Sequence, residues 1–146
     1  MVVSIEKIQK MLEETGFPMG FGMHREIAFL PILLEPTEII KSAAICLEPA
    51  RNETNFIILT DRKMLYIDIS RTIGNVYDEY SLEDLLTITF KNGLLLGTIE
   101  FNHAGKVRRI KKVDKKTGEI FVERANIAKS DYTHSILTNP FMKYVG

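Results

Sequence analysis

Residues 85–102 read LLTITFKNGLLLGTIEFN, two runs of alternating apolar and polar residues with Asn92-Gly93 between them. Leu86, Ile88 and Phe90 alternate with Leu85, Thr87 and Thr89; beyond the break, Ile99 and Phe101 alternate with Thr98, Glu100 and Asn102. A period of two puts one set of each run on a buried face. Asn-Gly tolerates the positive φ angles of a two-residue type I′ turn, so the stretch predicts a β-hairpin with strands at 85–91 and 94–102.

On either side of the hairpin, further short runs divided by turn residues predict strands at 38–47, 54–60, 63–69, 75–81 and 106–112. Their spacing of about ten residues is that of a sandwich or barrel. Leu65, Ile67 and Ile69 share one face of their strand, with Met64, Tyr66 and Asp68 on the other. After the seventh strand, Val113, Thr117, Ile120, Phe121, Ile127 and Ala128 fit one helical face, with Asp114 placed as its cap. This predicts a helix at 114–129, in which Gly118 costs about 1 kcal/mol relative to alanine. The alternative is a turn at Asp114–Gly118 leading into an eighth strand at 119–123. Residues 131–146 have no clear period and contain Asn139-Pro140, which fits a tail or docking arm.

Before the strands, Ser4 is placed as an N-cap, Ile5, Ile8, Met11 and Leu12 recur at helical spacing, and Gly16 and Pro18 end the pattern. A short amphipathic helix at 4–15 follows, and its apolar stripe must be covered by the main domain or by another copy of the chain. Phe17, Met19, Phe21 and Met23 then alternate with Pro18, Gly20 and Gly22 in a connector whose glycine spacing is not that of a dinucleotide loop.

A chain of 146 residues, 45% hydrophobic and 26% charged, is sized for one globular domain. The longest apolar run, Ile27–Leu34, contains Pro31 and falls well short of the roughly 20 residues of a membrane-spanning helix. Glu6, Glu13 and Glu14 make the N-terminus unlike a secretory leader, so a cytoplasmic location is expected. Cys46 is the sole cysteine, which excludes an internal disulfide and a multi-cysteine metal cluster. His24, His103 and His134 lack zinc-ligand spacing, and no G-x-S-x-G turn occurs. The acidic Asp78, Glu79, Glu83 and Asp84 have no nucleophile to serve and read as a solvated connector. No enzyme, cofactor, metal or small-molecule substrate is expected.

The order of seven strands and then a helix is similar to that of pleckstrin-homology-like (PH-like) domains. Leu34-Glu35-Pro36-Thr37-Glu38, the run Phe56 to Tyr66 (FIILTDRKMLY) and Tyr80-Ser81-Leu82-Glu83-Asp84-Leu85 resemble the bacterial branch of that family over about residues 31–130. The resemblance implies a mainly β, α+β fold: a partly open, seven-stranded antiparallel barrel of two orthogonal sheets, capped by a C-terminal helix. It divides the chain into an N-terminal helix and connector (1–30), the PH-like domain (31–130) and the tail (131–146). It also implies a non-enzymatic module that self-associates or binds a protein. Phosphoinositide-binding PH domains carry several cations between the first two strands, whereas Leu47–Thr54 here offers Arg51 alone beside Glu48 and Glu53.

Two residue sets carry the functional expectations. Ile5, Ile8, Leu12, Phe17, Met19 and Phe21 lie outside the expected barrel and would serve self-association, as a homo-oligomer or with a protein partner. Lys106, Arg108, Arg109, Lys111, Lys112, Lys115 and Lys116 place seven cations within eleven residues against the lone acid Asp114. These would attract the phosphates of an anionic surface, membrane lipid headgroups or nucleic acid. No aromatic residue interleaves with them to stack bases, which disfavours nucleic acid, and lysines on an edge strand also guard against aggregation. The chain is neutral in total, yet residues 101–146 hold ten basic and four acidic side chains, so the charge is uneven.

Overall fold

The computed structural model describes residues 3–18, 24–48 and 53–138. Ser4 Oγ accepts from Lys7 N at 3.2 Å and starts α1 (Ile5–Glu14), and Gly16, at φ 82°, follows its end. A second helix, α2 (His24–Leu33), was not legible in the sequence: it is apolar on most sides and carries Pro31 in its last turn. The strands follow as β1 (Ile40–Glu48), β2 (Glu53–Thr60), β3 (Lys63–Ile67) and β4 (Tyr77–Ser81). A 3₁₀ turn (Leu82–Asp84) leads to β5 (Leu85–Asn92), β6 (Gly97–His103), β7 (Lys106–Val113) and α3 (Lys115–Thr138). The segment 114–129 is therefore helical, without an eighth strand, and the helix runs beyond 129 through residues expected to lack a period.

All pairings are antiparallel, in the order β4-β3-β2-β1-β7-β6-β5. β1 meets β7 at the single pair Cys46–Val113, and there the sheet folds from a four-stranded leaf into a three-stranded one. The result is the seven-stranded, partly open barrel of the PH-like fold. Asp114 N donates to Ile45 O at 2.7 Å and Ile45 N donates to Thr117 Oγ1 at 3.2 Å, which ties the start of α3 to β1. Asp114 Oδ2 caps the helix by accepting from Thr117 N at 3.0 Å. Thr117, Phe121, Val122, Ala125 and Ala128 form its buried face, while Ile120 and Ile127, expected on that face, are exposed.

Two cores result, one on each face of β1–β3. Inside the barrel, Ala44, Cys46, Ile57, Leu59 and Met64 meet Leu85, Ile88, Ile99, Phe101 and the buried face of α3. On the outside, Ile45, Phe56, Ile58, Leu65 and Ile67 are covered by Ile8 and Leu12 of α1, Phe17, and Ile27 and Leu30 of α2. Leu65 and Ile67 thus point away from the barrel interior, contrary to a simple one-face-in reading. Ile8, Leu12 and Phe17, expected from the sequence to serve self-association, are buried against this chain's own sheet; Ile5 is exposed, and Met19 and Phe21 lie outside the described residues.

The hairpin of residues 85–102 forms in a different register from the one Asn-Gly suggests. Asn92 pairs with Gly97, leaving the four-residue loop Gly93–Leu96 closed by Gly93 N to Leu96 O at 3.0 Å. The reason is Phe90. A Cβ on Gly97 would stand 2.2 Å from Phe90 Cζ and one on Gly118 would stand 2.5 Å from Phe90 Cε1, so the ring lies in a slot that only two glycines leave open. The two-residue turn with positive φ occurs instead at Ala104 (φ 50°) and Gly105 (φ 82°), between β6 and β7. A bulge at Thr87, whose φ is 52°, brings Leu85 and Ile88 inward and turns Leu86 out, reversing the expected place of Leu86.

The Leu34–Glu38 and Thr60–Lys63 motifs form a staple. The Glu38 carboxylate, 1% exposed, accepts from the Thr60 hydroxyl, from Glu35 N at 3.0 Å and from Lys63 Nζ at 3.3 Å. Lys63 Nζ also donates to Leu33 O at 2.5 Å, fixing the end of α2 to the β2–β3 turn. These residues are spent on structure.

Gly118→Ala is expected to destabilise by about 1–3 kcal/mol through the Phe90 clash, against a gain of about 1 kcal/mol in helix propensity. Urea denaturation checks it, and pairing the change with Phe90→Leu should restore part of the loss. Leu12→Ala should cost about 2–5 kcal/mol, the range for a fully buried leucine, in the same measurement; a change under 0.5 kcal/mol would mean α1 does not hold the outer core.

Candidate functional site

The sequence KVRRIKKV of β7 would, with strict alternation, send Lys112 inward after Ile110. Instead β7 carries one extra residue between the pairs Ile99–Ile110 and Gly97–Val113, and Lys112 takes φ 61°. This bulge turns Val113 into the core and leaves both Lys111 and Lys112 exposed. The backbone strain at Lys112 is offset by keeping its ammonium out of an apolar interior, where desolvation would be far more costly.

Across from this bulge, a cleft of about 390 Å³ opens between β7 and the β3–β4 leaf. Arg109, Lys111 and Lys112 line one wall; Tyr66, Arg71, Asp78 and Tyr80 line the other. Arg71 is fixed in place: its guanidinium makes a bidentate pair with Asp78 (3.0 and 2.7 Å) and stands 5.5 Å over the Tyr66 ring. The Asp78 hydrogen bond raises the basicity of Arg71. The Tyr66 hydroxyl accepts from Asn55 Nδ2 at 3.1 Å, and burial pushes its ionisation up to about 12. Burial also raises that of Tyr80, whose ring meets Phe101 edge-on at 4.9 Å and His103 at 5.2 Å. Among the described residues, four cations therefore face one carboxylate, with two neutral phenols between them.

The seven cations do not form one rim. Arg109 is held by Glu100 at 2.8 Å, and Lys91 shares that carboxylate at 3.2 Å. Lys91, followed by Arg109, holds the Glu100 carboxyl below its usual range. Lys106 and Arg108 are exposed nearer the Ala104-Gly105 turn. Lys115 donates to Leu94 O at 3.2 Å, and Lys116 borders a separate groove of about 560 Å³ with Thr15, Phe17 and Arg124. Arg71 was missed: it stands 35 residues before the β7 lysines at the start of a loop, and nothing local marks it. The acidic patch is divided too, with Asp78 on Arg71 and Glu79 on Lys63 at 3.2 Å. Cys46 is buried in the barrel, which pushes its thiol up to about 12. Among the described residues, no helix is long and apolar enough to cross a membrane.

Barrel, capping helix and open cleft together define a PH-like domain. The chain belongs to the bacterial PH domain family, whose model matches residues 34–127. Among solved structures it is similar to the Vps36 N-terminal PH domain, at 18% identity and a TM-score of 0.49, over 73% of this chain and 86% of that one. It is also similar to the hSac2 domain from the human phosphoinositide phosphatase Sac2, at 18% identity and a TM-score of 0.45, over 74% and 84%. No curated protein matches the chain. PH domains in general mediate protein or lipid interactions and are non-enzymatic.

In an ultraviolet phenolate titration, Tyr66 is expected to ionise near 12, after the ordinary tyrosine range of about 10. Its folded-state value is raised, so its contribution to stability is whole below about pH 10 and is lost as pH climbs toward the folded value. Tyr66→Phe should remove that late step; an unchanged titration curve would place the late phenol elsewhere.

Proposed function

We propose that this chain is a non-enzymatic cytoplasmic binding module in which the PH-like unit, residues 31–130, takes an anionic, phosphate-bearing group in the cleft between β7 and the β3–β4 leaf. The observation that carries this reading is the convergence of Arg71, Arg109, Lys111 and Lys112 on one cleft where, among the described residues, Asp78 is the acid. A guanidinium already braced by a carboxylate and an aromatic face loses little side-chain freedom when an anion arrives. The tyrosines stay protonated at neutral pH and so offer hydroxyl donors rather than a second negative charge.

A protein-binding or self-associating role is the second reading. Ile8, Leu12 and Phe17 are used inside the fold, so it rests on the exposed Ile32 of α2 and Ile39 just before β1. Residues 1–30 would then act as the cover of the outer sheet face rather than as the interface.

Titration calorimetry with inositol hexakisphosphate as a probe anion tests the first reading. Saturable binding at low salt is expected, weakening steeply as salt is added. Lys111→Glu with Lys112→Glu should lower affinity at least tenfold per residue, on the scale of a hydrogen bond to a charged group. Lys106→Glu, away from the cleft, should change it much less. No heat at low salt, or equal losses at Lys106 and at Lys111 with Lys112, would overturn the cleft as the site; a mass above that of a monomer by light scattering, lost in Ile32→Ser, would support the second reading.

A further inference from the structure

Leu94 and Leu95 stand at the tip of the β5–β6 loop, 94% and 83% exposed. Exposed leucines occur singly on most surfaces; two adjacent ones projecting almost completely from a closed loop do not. The loop is braced. Gly93 N donates to Leu96 O at 3.0 Å, a Cβ at Gly93 would meet Leu96 O at 2.3 Å, and Lys115 Nζ donates to Leu94 O at 3.2 Å. The leucines are therefore held outward at no further ordering cost.

The base of this tip is cationic. Lys91 stands one residue before the end of β5 below it, and Lys115, whose Nζ reaches Leu94 O, flanks the same base. Glu100 is shared between Lys91 and Arg109, so one carboxylate stands against two cations there, and Lys91 remains mostly exposed. An apolar point flanked by lysines matches the profile of a bilayer interface, where acyl chains take the leucines and anionic headgroups take the ammonium groups.

We infer that the Leu94-Leu95 loop is a membrane-contact element that enters the interfacial zone of an anionic lipid bilayer, with Lys91 and Lys115 at headgroup level. This goes beyond anion binding in the cleft, and the two use different residues. The contact is shallow, reversible and selective for anionic over neutral bilayers.

The chain has no tryptophan, so Leu95→Trp introduces a single reporter. Its emission is expected to shift to the blue on adding phosphatidylglycerol–phosphatidylcholine vesicles, and to shift little with phosphatidylcholine alone. In co-sedimentation with the same mixed vesicles, Leu94→Ser and Leu95→Ser should each weaken binding about tenfold, the loss expected for one partly inserted leucine. Both positions are exposed, so these variants fold as the parent does. Lys111→Glu with inositol hexakisphosphate reads the cleft separately: loss of that binding with vesicle binding retained supports the inference. Unaltered vesicle binding in both serine variants, no blue shift, or a dimer that the serine changes convert to monomer would overturn it, the last by assigning the tip to a second copy of the chain.

Discussion

Strands β1, β2 and β3 are apolar on both faces, and the rest of the molecule is arranged to satisfy that constraint. Ile57 and Leu59 face the barrel while Phe56 and Ile58, their immediate neighbours, face outward. A fully buried side chain of this size contributes about 1.5–3 kcal/mol, so leaving either face wet would forfeit several such contributions. The barrel and α3 cover the inner face. Among the described residues, α1, Phe17 and α2 cover the outer one, which makes the N-terminal helices part of the fold rather than an appendage. The Glu38–Thr60–Lys63 staple works to the same end: it takes a carboxylate and an ammonium group to the edge of the outer core and binds α2 to the sheet through them.

The second organising device is the bulge. Thr87 in β5 and Lys112 in β7 each insert one residue, and each brings two apolar residues three apart onto the inner face. In β5 the consequence is packing. In β7 the consequence is electrostatic, because the displaced residues are Lys111 and Lys112, which reach the cleft shared with Arg71. The fold's method of filling its interior thus also decides where its charge is presented.

The number, order and approximate limits of the strands were legible in the sequence because period-two alternation and turn residues are local signals. The cap at Asp114 was legible for the same reason. The loop register was not: Asn-Gly is a local preference of modest size, and the Phe90 ring, which needs Gly97 beside it and Gly118 from another element, outweighs it. The side that Leu65 and Ile67 face was hidden because an apolar residue looks the same whether a barrel or a helix covers it. Of the candidate site, the β7 cations were conspicuous as a charge run, while Arg71 reaches them only through folding. α2 escaped notice because a helix apolar on most sides has little periodicity to detect.

Cys46 sits in the strand where the two leaves join, opposite Val113, and it is the sole sulfhydryl in the chain. Its thiolate form is strongly disfavoured where it lies, and thiols react as thiolates. The native molecule therefore offers no reactive thiol at its surface and keeps a latent one at its seam. Any labelling of the unaltered chain would report the leaves parting, and a cysteine engineered elsewhere on the surface would be free of competition for a dye.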